Sequence, residues 1–168
     1  MTQEEKQLLL KDLCARLPYG VKGRVYAETT KGEYDINGDM IFYDSPFDVT
    51  LDTVNTSTEE IHVIAIGNDD TVDFIEDQQT DGKPYTVDEF KPYLRPMSTM
   101  TREEKCELVD LLHIVDEPSD ITEIIHLFVS SLDGYNWLNK KGFDYRGLIP
   151  MGLALEAPAE MYKKYLEV

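Results

Sequence analysis

Asp35, Asn37 and Asp39 stand in the D-x-N-x-D order that opens an EF-hand loop, where side-chain oxygens at alternate positions converge on calcium. Such a loop needs glycine at its sixth position and a bidentate glutamate at its twelfth. Here those places are held by Met40 and Pro46. Asn37-Gly38 between two extended segments is instead a strong hairpin signal, and a turn accounts for the same residues. The histidines His62, His113 and His126 fall in different predicted elements, and none lies in an H-E-x-x-H pattern or another local zinc spacing. Ser130 and Ser131 lack the glycine frame of a G-x-S-x-G nucleophile elbow. Gly142, Gly147 and Gly152 recur at five-residue intervals but match neither a P-loop nor a G-x-G-x-x-G fingerprint, so they read as turns and caps. No motif therefore assigns a catalytic residue, a metal or a cofactor.

Carboxylates are the exception by number. The chain carries 33 acidic and 16 basic residues, a net charge of −17. Fifteen of the acids lie between Glu28 and Asp81, where Lys31 is the single base, so this segment holds fourteen of the excess negative charges. That density argues against direct binding to nucleic acid or anionic lipid, because neutralising phosphates takes clustered lysine and arginine. It also makes a pair of carboxylates at glycosidase spacing uninformative, since many pairs will meet that distance by chance.

The elements that must position these groups follow from patterning. At 168 residues, 42% apolar and 10% aromatic, the chain is long and apolar enough to bury a core. No run of about 18 apolar residues marks a membrane span, and the acidic start does not resemble a signal peptide, which together predict a cytoplasmic protein. Residues 1–13, MTQEEKQLLLKDL, and 100–112, MTREEKCELVDLL, match at seven of thirteen positions. In each copy a threonine, Thr2 or Thr101, precedes a glutamate by three residues, Glu5 or Glu104, which is the sequence form of a capping box. Leu9, Leu10, Leu13 and Leu17 then form one apolar face, and Leu108, Val109, Leu112 and Val115 another. Cys14 and Cys106 lie within these helices, are not part of a C-x-x-C pair, and are expected to be buried thiols. Capping boxes followed by leucines arise readily by convergence, and residues 113–168 do not resemble 14–99, so the match reads as two independent helix starts in preference to duplication.

Between the helices, residues 21–77 read as short strands and turns. Tyr34 and Ile36 alternate with Glu33 and Asp35, and Val49 and Leu51 with Asp48 and Asp52, which places the four carboxylates on the solvent side of a sheet. Residues 61–66, IHVIAI, look like a central strand, and residues 71–75 like a further one. The prolines of residues 91–97, KPYLRPM, predict an extended crossing to the second helix. A loop at 116–120, a segment of open type at 121–128, a short helix over 133–141 stopped by Gly142, and a last helix from Pro158 complete the pattern. The expected fold class is α+β: a small antiparallel sheet or partly open barrel bracketed by an N-terminal helix and a C-terminal helical segment. The expected division is 1–97 and 98–168.

Two stretches combine aromatics with cations. KPYLRPM places Tyr93 beside Arg95, and residues 137–150, WLNKKGFDYRGLIP, place Trp137 and Tyr145 among Lys140, Lys141 and Arg146. That mixture favours interfaces, and it also arises where an aromatic core borders solvated charges. The same stretches, together with LPYGV after the first helix, resemble a protein family of gut Bacteroides and their relatives, often encoded beside phage or mobile-element genes, to which no activity is assigned. The resemblance implies lineage and cytoplasmic location and carries over no catalytic residue. Taken together, the residues point to a non-enzymatic interaction module that presents an acidic surface to a basic protein partner, with Glu33, Asp35, Asp48, Asp52, Tyr93, Arg95, Trp137, Tyr145 and Arg146 as candidate surface residues. The alternatives are a carboxylate/histidine hydrolase or metal-dependent enzyme, and an acidic mimic of DNA.

Overall fold

The computed structural model describes residues 1–66, 84–112 and 131–162, with backbone alone at 27–32 and 44. The fold is α+β and divides into two compact units, Met1–Pro92 and Tyr93–Val168.

The first unit opens with helix α1, Gln3–Arg16. Its capping box forms as the sequence predicts: Thr2 Oγ1 accepts from the Glu5 N–H at 3.2 Å, and Glu5 Oε2 accepts from the Thr2 N–H at 2.7 Å. Leu9, Leu10 and Leu13 are buried. On the same helix, Asp12 and Arg16 are buried too and form an ion pair one turn apart at 2.7 Å. Cys14, one step round the helix from Leu13, is exposed, as is Cys106 in the second unit. Both thiols therefore depart from the expected burial, because each falls off the leucine stripe of its helix.

Strands β1 (Lys22–Tyr34) and β2 (Met40–Asn55) form a long antiparallel hairpin. β2 pairs with β3 (Glu60–Ala65), which pairs with β4 (Tyr85–Thr86). On the other side of β1, Gly23 and Arg24 meet Pro92 and Lys91, the first half of β5 (Lys91–Leu94). The sheet is open, so of the two expected forms the small sheet is the one observed and the barrel is not. One face is apolar and buried, built from Val25, Val49, Leu51, Ile61 and Val63, and α1 packs on β2. Asp52 is the extra residue of a β-bulge: Leu51 faces Val63, Thr53 faces His62, and Asp52 faces neither. Without that extra residue, strict alternation would turn Val54 away from the core; with it, Val54 sits opposite the fully buried Ile61.

In the second unit the remaining half of β5, Tyr93–Leu94, runs parallel to β6 (Leu155–Glu156). Helix α2, Arg102–Leu111, starts at the second capping box, and α3, Leu132–Lys140, starts at Ser131. Met100, Leu108, Trp137, Leu138 and Phe143 make the core, with Met97, Leu112 and Tyr145 against it. After α3 the chain reverses at Gly142, whose φ of 74° suits glycine and whose missing Cβ leaves room for the Tyr162 ring. Residues 159–162 form a turn, with the Met161 N–H bonded to the Pro158 carbonyl, and the rest of the helix expected from Pro158 lies outside the described residues. The expected strand at 71–75, the loop at 116–120, the segment at 121–128, Val115, and His113 and His126 lie outside the described residues.

Candidate functional site

The carboxylates singled out by alternation are all exposed, but the structure gives them different tasks. Asp48 lies directly across from Arg24, which donates to its Oδ1 through Nε at 3.1 Å and Nη2 at 3.0 Å. Lys22 and Lys91 flank Arg24 by register, so the root of the hairpin carries cations rather than a bare acidic face. Asp52 is set apart by its bulge. Glu59, also counted in the acidic run, is drawn to α1, accepting from Gln3 at 2.7 Å and lying 3.6 Å from the Lys6 ammonium. Lys6 also pairs with Asp88 at 2.9 Å, and these partners push its pKa up.

What remains acidic is the distal hairpin, between Tyr26 and Pro46. By sequence it carries Glu28, Glu33, Asp35, Asp39 and Asp44 against Lys31. In the register, Tyr26 faces Pro46, Glu28 faces Asp44, Thr30 faces Phe42 and Tyr34 faces Met40. Tyr26 is 50% exposed, Phe42 58% and Tyr34 61%, and Ile36 at the tip is fully exposed. Glu33 accepts from the Tyr43 hydroxyl. The D-x-N-x-D residues form the turn: Asp35 Oδ1 accepts from the N–H groups of Asn37 at 2.8 Å and Asp39 at 2.9 Å, and Gly38 takes a φ of 87°. Backbone hydrogen bonds from Asp39 and Asn37 hold the Asp35 carboxyl below its ordinary pKa.

Sequence reasoning missed the apolar part of this surface. Ile64 and Ile66 are 51% and 44% exposed, while their neighbours Ile61, Val63 and Ala65 are buried. The nearly unbroken apolar run of IHVIAI reads as a central strand, and its side chains alternate, so Ile61, Val63 and Ala65 face the core while Ile64 and Ile66 face outward.

The aromatic and cationic stretches of the second unit turn inward. Tyr93 and Trp137 are buried, which corrects their expected place on a surface. Trp137 stacks on Phe143 with centroids 5.7 Å apart, and the Arg95 guanidinium, itself paired with Glu104, lies 4.2 Å from the Phe143 centroid. That pairing is bidentate, at 2.7 and 2.9 Å, and Glu104 is 1% exposed. Burial pushes the Glu104 carboxyl up, but hydrogen bonds from Arg95 and the Thr101 N–H and the charges of Arg95 and Lys141 outweigh it, so its pKa lies below the ordinary value. Arg146 donates to the Tyr135 hydroxyl at 2.6 Å and lies 5.0 Å from the Tyr145 centroid; Tyr145 in turn donates to Asn139 at 3.0 Å. These residues hold a fold together. Beside them a cleft of about 320 Å³ is lined by Arg95, Thr99, Thr101, Glu156, Pro158 and Tyr162 among others, and Tyr162 closes one side by donating to the Tyr93 carbonyl at 2.7 Å.

His62 is exposed on β3 opposite Thr53. Among the described residues no three His, Cys, Asp or Glu side chains are grouped to hold a metal ion, and no helix is long and apolar enough to cross a membrane. Comparison with protein-family models, curated proteins and solved structures finds no match.

Proposed function

We propose that this chain is a cytoplasmic, non-enzymatic interaction module that offers the distal β1–β2 hairpin to a basic protein partner. The observation that supports this most is the coincidence, on one two-stranded ribbon, of five acidic residues against one base with the exposed side chains of Tyr26, Tyr34, Ile36, Met40 and Phe42. A two-stranded ribbon is marginal in water by itself, and an exposed apolar patch rimmed by polar groups is the usual mark of a protein contact. The carboxylates add selection for a cationic partner and accelerate its approach.

Electrostatic association between exposed groups weakens as salt shortens the screening length. Capture of partners by the full chain is therefore compared at low and high ionic strength, beside a variant carrying Glu33→Gln, Asp39→Asn and Asp44→Asn. The proposal expects a basic partner that is held at low salt, released at high salt and lost from the variant. A partner retained equally by the variant would show that the hairpin carboxylates do not recognise it.

A further inference from the structure

We infer that the partner docks as an extended basic segment that adds a strand to the outer edge of β1 between Val25 and Thr30. This rests on the proposal that the hairpin is the docking surface and specifies how that surface is used. Backbone direction identifies the edge. Just before β1, the Val21 carbonyl accepts from the Leu51 N–H at 2.8 Å, and the register with β2 then runs unbroken from Lys22 to Thr30. The N–H and C=O of a strand residue point to the same side, and successive residues alternate, so the odd-numbered residues here bond β2. Tyr26, Glu28 and Thr30 turn their backbone groups the other way. On that same side Arg24 meets Lys91 of β5, while Pro92, which has no N–H to give, stands opposite Gly23, where none is needed. Among the described residues no strand pairs with this edge beyond Arg24 toward the tip.

The edge has the length and the composition to accept a strand. Six residues at about 3.4 Å each make an ordinary strand length. Exposed edges are usually blunted by proline, lysine or a bulge. Residues 25–30, VYAETT, contain neither proline nor lysine, and Val25, Tyr26, Thr29 and Thr30 are strand formers. The guards come later: Lys31, and the register shift between Thr30 and Tyr34, which ends the regular edge and sets the reach of an added strand. β5 leaves the line open because it begins only at Lys91, after the turn of Val87–Glu89. In strand addition the main-chain hydrogen bonds supply affinity, and the occupant's side chains supply selection. From Tyr26 to Pro46 the sequence carries five acids against Lys31, so charge complementarity selects a cationic segment. A second copy would bring the same acids and a net charge of −17.

The test uses the full chain and a short peptide of alternating lysine and threonine, beside the same peptide N-methylated at its central amides, which keeps the charge and removes the donors. Amide exchange of the chain is read residue by residue by NMR. Without peptide, Ala27 and Thr29 should exchange slowly and Tyr26, Glu28 and Thr30 fast; the unmodified peptide should slow the even-numbered amides and leave the odd ones as they were. N-methylation should weaken binding by about tenfold, at low and high salt alike. Thr30→Pro removes one outward N–H while sparing the ladder with β2 and the charge, and should weaken the unmodified peptide, whereas Thr30→Val should bind it as the unaltered chain does. Equal binding of both peptides with no alternation in exchange overturns strand addition and leaves the acidic docking surface standing, whereas binding of neither overturns both. Protection of the even-numbered amides that grows with chain concentration in the absence of peptide would make a second copy the occupant and overturn the basic segment.

Discussion

The two units bring aromatic and charged side chains together to opposite ends. In the second, three cations are answered within the chain: Arg95 is held by Glu104 and Phe143, Arg146 meets Tyr135 and Tyr145, and Lys141 meets Glu107. In the distal hairpin of the first, rings and carboxylates are displayed, and Arg24 at the root is already engaged with Asp48. The same residue types thus build an interior in one place and an exposed ribbon in the other. What separates them is the supply of cations.

The sharpest way to break this comparison is to remove the second unit's internal match. Arg95→Ala leaves the Glu104 carboxylate buried without its bidentate partner, and should destabilise that unit by about 3–5 kcal/mol. Trp137 is the sole tryptophan and lies in that core, so denaturant titration followed by its fluorescence reads the loss directly. Arg95→Lys should recover only part of it, because one ammonium cannot supply the fork. Acidification probes the same pair. Since the folded pKa of Glu104 is depressed, its contribution is fully present above the unfolded-state value of about 4.3 and is lost as pH falls through the lower folded value. The stability difference between the unaltered chain and Glu104→Gln should accordingly narrow below that pH; a constant difference across the range would refute the depressed pKa.

A smaller effect is expected at Gly142. Alanine there would be forced to a φ of 74° with its Cβ 2.5 Å from the Tyr162 ring. The conformational part alone costs about 1–2 kcal/mol, and displacement of the ring should show as a changed tyrosine environment in near-ultraviolet circular dichroism. The two helix starts give a matched pair. Thr101→Ala and Thr2→Ala each remove a cap worth about 1 kcal/mol, but Glu104 in the second box is also gripped by Arg95 while Glu5 in the first is exposed. Thr101→Ala should therefore be the costlier in thermal melts, and equal costs would mean that the tertiary setting adds nothing to the box. Least of all, Asp48→Asn should shift stability by about 0.2–1 kcal/mol, as an exposed ion pair does.

These contrasts also mark what the sequence made legible. Both capping boxes, the Asn37-Gly38 turn, the stop at Gly142 and the alternation that exposes Glu33, Asp35 and Asp48 depend on neighbours within a few residues, and such local chemistry is written in local order. The inward turn of Tyr93 and Trp137 was not legible, because the Arg95–Glu104 pair that organises them joins a strand end to a helix start through folding. Neither was the bulge at Asp52, which turns the partly buried Val54 to the side of Ile61. The buried Asp12–Arg16 pair sits on an apolar stripe where helical periodicity anticipates leucines alone. Within the candidate surface, charge was readable and the exposed rings were not: a tyrosine or phenylalanine on a strand has the same letter on either face.

The most direct measurement is hydrogen exchange of the full chain with and without a basic peptide. Slowed exchange confined to amides of 26–46 is the expected result, with 131–162 unchanged. Protection appearing around Arg95 and Phe143 instead, with the hairpin unaffected, would contradict the assignment of the docking surface.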